Sequence, residues 1–227
     1  MRTSPTSIIL PLTLVSAPTF AATVLTMEGL PHNADVPVTF ADFASANSTG
    51  FVVSSGIDGI TGTPNIDIAW AGINHVLDSY QNWDGRGTVL QTDFNATGGT
   101  LTIDIPFIPD SASFGILIST FELDLYSGGG PAQVNWSILA GNTTIASNNW
   151  TRATGGRDLI DTGITAAQAR LYAGETITLR LVKASGLGSY FAVDNLAFDQ
   201  VVPEPSVAAA AMMGLGAMAM RRRRSVA

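Results

Sequence analysis

One stretch of the chain concentrates side chains that could bind a sugar. It contains aromatic, amide and charged residues close together: Trp70, His75, Tyr80, Gln81, Asn82, Trp83, Asp84 and Arg86. Aromatic faces stack on the C–H patches of a sugar ring, while amides and carboxylates bind its hydroxyls. We therefore predict a carbohydrate-binding site made by Trp70, Tyr80, Trp83 and Asp84. The alternative is that both tryptophans belong to the hydrophobic core and the other residues cap a loop.

A second candidate is the pair of carboxylates in Glu122-Leu123-Asp124. Side chains alternate along a strand, so the two acids share one face. The pair resembles part of the Glu-x-Asp-x-x-Glu motif of laminarinase-like sandwich hydrolases, but the second glutamate would fall at Ser127. A retaining glycosidase needs a nucleophile and a separate acid/base about 5–5.5 Å apart. We therefore interpret the pair as the wet face of a half-buried strand and predict that the protein is not an enzyme.

Composition excludes several other kinds of chemistry. The chain has 227 residues, which suits one domain with processing segments, and it has no cysteine for disulfides, thiolate zinc sites or catalysis. Five of the 11 basic residues are Arg2 and Arg221–Arg224, so residues 23–200 hold six, against 17 of the 18 acidic residues. The resulting net charge of −11 repels phosphate backbones, and we expect no nucleic-acid partner.

Period-two alternation predicts the elements that must position these side chains. Apolar residues alternate with polar ones in 101–107, 121–125, 134–138 and 177–181. Such alternation is typical of antiparallel strands with one buried face. Only Thr165 to Tyr172 has a composition that favours a helix. The sequence therefore predicts an all-β domain over residues 22–200, an antiparallel β-sandwich of the jelly-roll type.

The last predicted strand changes face in its middle. Phe191 and Val193 share one parity, whereas Leu196 and Phe198 share the other. A β-bulge at Asp194-Asn195 would keep all four apolar side chains inward.

The segment around this bulge resembles the closing strand of galactose-binding-like jelly rolls in carbohydrate-binding modules. The resemblance implies that Asp194 and Glu28, in the first strand, hold a structural calcium ion. Oxygen ligands suit calcium. The alternative is that Asp194 accepts backbone N–H bonds at the bulge.

The N-terminus has the organisation of a secretory signal peptide. Arg2 precedes an apolar stretch at 8–15, and small residues follow it. Cleavage after Ala21 places Thr19 and Ala21 at the −3 and −1 positions, and cleavage after Ala22 is the neighbouring option. We assign residues 1–21 to the signal peptide; a short buried strand or helix is the alternative.

The C-terminus, residues 201–227, combines three features in order. The segment 202–206 contains Pro203-Glu204-Pro205, the uncharged run 207–220 follows, and the chain then carries Arg221, Arg222, Arg223 and Arg224. At ~1.5 Å per residue the run reaches about 21 Å as a helix, short of a ~30 Å hydrocarbon core. We predict a single transmembrane helix with its arginine anchor in the cytoplasm.

These three features resemble the PEP-CTERM sorting signal. The resemblance implies export across the inner membrane of a Gram-negative bacterium and recognition by an exosortase, in hosts that make extracellular polysaccharide and biofilm. A plain C-terminal anchor is the alternative. We expect a structural or adhesive protein at the cell surface or in the extracellular matrix, with affinity for polysaccharide; a secreted polysaccharide-active enzyme and a dedicated lectin remain as alternatives.

Overall fold

The structure, a computed structural model, covers the central domain between the two predicted targeting segments. It describes residues 23–27, 30–36, 52–54, 57–58, 66–69, 77–85, 87–92, 101–127, 130–183 and 190–201. At residues 52–54, 57–58, 77, 78 and 83 only the backbone is described. Glu28, Trp70, His75, the signal peptide, Pro203-Glu204-Pro205 and the arginine cluster lie outside the described residues.

The described part contains fourteen strands, one short α-helix and a single 3₁₀ turn at Trp83–Gly85. They are β1 Thr23–Leu25, β2 Ala34–Asp35, β3 Val52–Ser54, β4 Ile57–Asp58, β5 Ile66–Ile68, β6 Leu77–Tyr80, β7 Val89–Thr92, β8 Leu101–Pro109, β9 Gly115–Leu125, β10 Ala132–Ala140, β11 Thr143–Arg152, β12 Gly156–Asp161, α1 Ala166–Arg170, β13 Ile177–Lys183 and β14 Phe191–Val201. Among these residues no helix has both the length and the apolar character needed to cross a bilayer, and the predicted sorting helix lies beyond them.

The strands form two antiparallel sheets. Sheet B has the order β11-β10-β13-β8-β5, and sheet A contains the other nine strands. Strand β14 is central in sheet A, because it pairs with β9 along one side and with β7 and then β1 along the other. This arrangement confirms the predicted antiparallel all-β class.

The apolar faces of both sheets enclose one core. Phe107 of sheet B meets Phe198 of sheet A with ring centroids 5.1 Å apart, and Phe121 of sheet A meets Trp136 of sheet B at 5.7 Å. Both pairs are edge-to-face, a favourable arrangement of aromatic rings. Because the two sheets pack face to face through these residues, the domain is a β-sandwich.

The bulge predicted in the last strand is present. The pairing of β14 with β9 shifts register between Asp194 and Ala197, and Asn195 has a φ of 48°. Asparagine tolerates this left-handed conformation better than most residues. The bulge reverses side-chain parity, and the four apolar residues on either side of it, Phe191, Val193, Leu196 and Phe198, are fully buried. The prediction is confirmed.

The segment predicted to favour a helix forms α1. Thr165 caps it: its side chain accepts a hydrogen bond from the Gln168 backbone N–H, and the Gln168 side chain accepts one from the Thr165 N–H. The helix packs against the start of β9, where a Cβ on Gly115 would overlap the carbonyl oxygen of Ala169. Glycine at 115 therefore permits the close approach.

Candidate functional site

The turn after β6 contains part of the predicted sugar-binding stretch. Asn82 and Asp84 have φ angles of 62° and 47°, and Gly85 has a φ of 80°. The Gly85 N–H donates to the Asn82 carbonyl at 3.3 Å and closes the turn. Small polar residues and glycine are the types that adopt left-handed backbone most readily, which explains why a turn forms at this point.

Asp84 fixes this turn to the end of β9. The Ser127 backbone N–H donates to Asp84 Oδ2 at 2.8 Å, and the Ser127 hydroxyl donates to Oδ1 at 2.6 Å. The loop after β11 reaches the same point, because a Cβ on Gly155 would overlap the Ser127 backbone. Asp84 therefore positions the turn, and each of its oxygens keeps a further lone pair that can accept a bond.

Tyr80 precedes the turn and contacts a histidine that the sequence left isolated. The rings of Tyr80 and His32 lie 4.5 Å apart at 60°. The Gln81 backbone N–H donates to His32 Nδ1 at 3.1 Å, and the Gln81 side-chain amide donates to the Leu30 carbonyl at 2.8 Å. Because Nδ1 accepts, neutral His32 carries its proton on Nε2, which is a hydrogen-bond donor.

Two exposed tyrosines lie just beyond one end of the β9–β14 ladder. Tyr126 and Tyr190 are 36% and 41% exposed, and they come directly beyond Leu125 and Phe191, the last pair of the β9–β14 ladder. Sequence analysis did not single them out. Their positions in the sequence could have identified them, because each lies close to a glycine-rich segment at the end of a strand predicted from alternation.

We call His32, Tyr80, Asp84, Tyr126 and Tyr190 the aromatic end of sheet A. The turn at 81–85 joins its two parts, because Tyr80 precedes the turn and Asp84 binds Ser127 beside Tyr126. Together these residues offer aromatic rings, phenol groups, an imidazole donor and carboxylate oxygens that accept hydrogen bonds. Of the predicted site residues, the structure places Tyr80 and Asp84 here. The backbone of Trp83 is part of the turn, but its side chain is not described. Trp70 lies outside the described residues.

Asp194, the predicted calcium ligand, lies at the bulge with little exposure to solvent. Its Oδ1 accepts the Asn195 backbone N–H at 2.8 Å, as the alternative without metal requires. The Asn195 side-chain amide donates to Asp194 Oδ2 at 3.4 Å and to Glu122 Oε2 at 3.0 Å. Across the described residues no group of three His, Asp or Glu side chains could hold a metal ion. Glu28 is not among them, so calcium stays a prediction.

The Glu122–Asp124 pair does not have the uniformly wet face that we predicted. Asp124 is only 3% exposed, because it lies on β9 between its cross-strand partners Arg157 of β12 and Ala192 of β14. Glu122 is more accessible, but its carboxylate is in an ion pair with Arg157 at 3.0 Å and also binds Asn195. The interpretation as a wet face is therefore wrong for Asp124.

Two other carboxylates have shifted pKa values. Burial raises the pKa of Asp199 on β14 to about 6, although its Oδ1 accepts the Gln200 N–H. The Arg152 guanidinium, 2.6 Å away, lowers the pKa of Asp158, and the Trp150 indole N–H adds to this effect from 2.8 Å. Neither group belongs to the aromatic end of sheet A.

Comparison with known proteins identifies no family. No model of a known protein family matches the chain. A search of curated proteins also finds no match.

Solved structures give distant matches. A carbohydrate-binding module specific for non-crystalline cellulose is 13% identical, with a TM-score of 0.36, and the match covers 75% of this chain and 98% of the module. A module from Caldicellulosiruptor saccharolyticus in complex with mannohexaose is 13% identical, with a TM-score of 0.36, over 62% of this chain and 91% of the module.

Two larger proteins also match in part. An arabinose-bound α-L-arabinofuranosidase is 11% identical with a TM-score of 0.36, and an exo-β-agarase is 10% identical with a TM-score of 0.35. The match covers 80% and 63% of this chain, but it spans only 27% and 23% of those proteins. At TM-scores this low, neither the fold nor a ligand of this chain follows from the likeness.

Proposed function

We propose that this protein is an exported, non-enzymatic component of the cell surface or extracellular matrix, whose jelly-roll domain binds polysaccharide weakly at the aromatic end of sheet A. One observation carries the sugar-binding part: the exposed Tyr126 adjoins Ser127, which binds the turn that follows Tyr80, and Tyr80 contacts His32. Ring faces beside hydroxyl, imidazole and carboxylate groups are the combination that sugars require.

The charge of the domain limits the kind of polymer. Residues 23–200 carry six basic and 17 acidic residues, and Asp84 and Glu122 lie on or near the face in question. A strongly anionic polysaccharide would be repelled at low salt. The ligand class we propose is therefore neutral polysaccharide.

The proposal of export and sorting rests on the two ends of the sequence. Pro203-Glu204-Pro205 begins two residues after β14 ends at Val201. Proline is disfavoured inside helices and central strands, so this sequence favours an extended form that a protease can bind. In this proposal exosortase is the partner, the inner membrane holds the chain before processing, and the protein then reaches the surface or matrix.

The binding part is tested by retention on insoluble neutral polysaccharides, with the 227-residue chain in mild non-ionic detergent. We expect Tyr126→Ala combined with Tyr190→Ala to weaken retention about tenfold, with little change in melting temperature because both side chains are exposed. Leu159→Ala, at another exposed position on β12, is the control and should retain the polymer as the parent does.

Unchanged retention in the double tyrosine variant would reject the aromatic end as the binding surface. Release of reducing ends from the polymer by the parent would instead support the polysaccharide-active enzyme. Tight binding to one defined oligosaccharide would support the dedicated lectin.

A further inference from the structure

Strand β11, Thr143–Arg152, is the longest edge strand in the described part of the chain. It is the first strand of sheet B and pairs with β10. Six of its ten residues are exposed. Its outer side presents backbone N–H and C=O groups to which no strand among the described residues is paired, and such an edge can accept a further strand.

The side chains of β11 do not protect this edge. Residues 143–151 include no charged residue, no proline and no glycine. Natural edge strands are usually short, charged or interrupted by proline, which prevents pairing with another chain. The other described edges follow that rule: β12 carries Arg157, Asp158 and Asp161, while β2, β4 and β5 have two or three residues.

A bulge divides β11 into two parts. The pairing with β10 shifts register between Ile138 and Leu139, opposite Ile145. Such a bulge bends and twists the strand locally, which discourages pairing there. From Ala146 to Thr151 the pairing with β10 is one-to-one. The open regular edge is therefore six residues, about 20 Å long.

Ion pairs neutralise several charged side chains on sheet B and next to its edge, although the domain as a whole is strongly acidic. Arg152 forms an ion pair with Asp158 at 2.6 Å, and Arg180 binds both oxygens of Asp104 at 2.6 and 2.7 Å. Asn149 donates to Asn135 at 2.5 Å on the same outer face of sheet B. A second copy approaching β11 therefore meets less electrostatic repulsion than it would from the acidic remainder of the surface.

We propose that Ala146–Thr151 pairs antiparallel with the same segment of a second copy, joining two five-stranded sheets into one of ten strands. A two-fold axis perpendicular to the sheet relates the copies and keeps their outer faces on the same side. Directly opposed residues then share a face, so a single residue faces its own copy across the axis. That residue is Ser147, Asn148 or Asn149. Hydroxyl and amide groups both donate and accept, which makes these side chains self-complementary. Because the interface is so short, we expect the dimer to be weak and reversible.

The absence of cysteine makes cross-linking a direct test. Residues facing each other in an antiparallel pair have Cα atoms about 4.5–5.5 Å apart, within the range that a disulfide spans. Single variants Ser147→Cys, Asn148→Cys and Asn149→Cys of the whole chain are oxidised mildly in non-ionic detergent. We expect at least one to form a covalent dimer ten times faster than Leu159→Cys, the control at the β12 edge.

A charge variant gives the second test. Asn149→Lys places a lysine on the edge, and Thr102→Lys adds the same charge at an exposed position of the same face, on the interior strand β8. We expect Asn149→Lys to weaken dimerisation at least tenfold by analytical ultracentrifugation, with no change for Thr102→Lys. Raising the NaCl concentration should strengthen the dimer of the parent chain, because salt screens the net negative charge.

Three results would overturn the proposal. The first is cross-linking of all three edge cysteines no faster than Leu159→Cys. The second is equal weakening by Asn149→Lys and Thr102→Lys. The third is a parent chain that stays monomeric at high concentration in high salt.

Discussion

Carboxylates in this domain lie in four different environments, and each environment determines what the group does. Asp84 accepts two bonds from Ser127 and holds a turn in place. Asp158 is in an ion pair with Arg152, which favours its charged form. Asp194 accepts the N–H of the next residue at a bulge. Burial raises the pKa of Asp199 to about 6, so this group takes up a proton more readily than an exposed aspartate. A count of acidic residues alone would not separate these roles.

Asp199 should make stability depend on pH. The pKa of Asp199 is about 6 in the folded state, against an ordinary value of 3.8, so the folded protein holds a proton that the unfolded chain releases between these values. The free energy of unfolding should therefore fall as pH rises from about 4 to 6. Asp199→Asn removes the ionisable group and with it this loss of stability. We expect the substitution to raise the free energy of unfolding by about 1 kcal/mol at pH 7, because solvent still reaches the carboxyl group and weakens the effect of burial.

Urea unfolding at several pH values measures the effect of Asp199→Asn. The difference from the parent should become small near pH 3.5, where the aspartic acid is protonated in the folded state and mostly protonated in the unfolded chain. Asp110→Asn, which removes a carboxylate from an exposed turn, is the control for net charge. A stabilisation by Asp199→Asn that is as large at pH 3.5 as at pH 7 would contradict the prediction.

At the scale of elements, the sequence shows clearly what is local and periodic. The reversal of parity between Val193 and Leu196 predicted the bulge in β14, because a strand must keep its apolar side chains on the buried face. The capping pair Thr165 and Gln168 likewise marks the start of a helix. Both features are encoded within ten consecutive residues, so a single sequence is enough to find them.

Contacts between distant segments could not be predicted in the same way. Asp84 and Ser127 are 43 positions apart, and neither residue type marks the other as its partner. Alternation also predicted the face of Asp124 but not its burial, which depends on the strands on either side of β9. Tyr126 and Tyr190 come together only through the β9–β14 pairing, which has no signature in either strand alone.

The bulge in β14 also provides the test for calcium. If Asp194 contributes to a calcium site, the metal binds only the folded state, and millimolar calcium should raise the melting temperature of the parent relative to EDTA. The stabilisation would be about 2.7 kcal/mol at a hundred times the dissociation constant. Asp194→Asn should remove the response, while the exposed-site control Asp110→Asn should keep it. A parent whose melting temperature ignores calcium would exclude the predicted site.

At the scale of the whole molecule, the proposed sorting signal is tested in cells of a host that makes exosortase. Replacing Pro203-Glu204-Pro205 with alanines should leave the protein in the inner membrane with its tail uncut, because the motif that exosortase is proposed to recognise is lost. Cell fractionation followed by mass measurement of the C-terminus detects this. Wild-type processing of the alanine variant would reject the sorting signal, and identical fractionation with and without exosortase would favour the plain anchor.

The central position of β14 has a consequence for the order of folding. Strand β1 begins at Thr23, which pairs with Phe198, so the first strand of the domain waits for a partner that lies 175 positions later (198 − 23). β7 and β9 pair with the same late strand. Sheet A therefore cannot close while its last residues are unavailable, and such distant pairings form slowly. For a chain exported as proposed, this delay would keep the polypeptide unfolded during translocation, and folding would finish only after residues 191–201 leave the membrane.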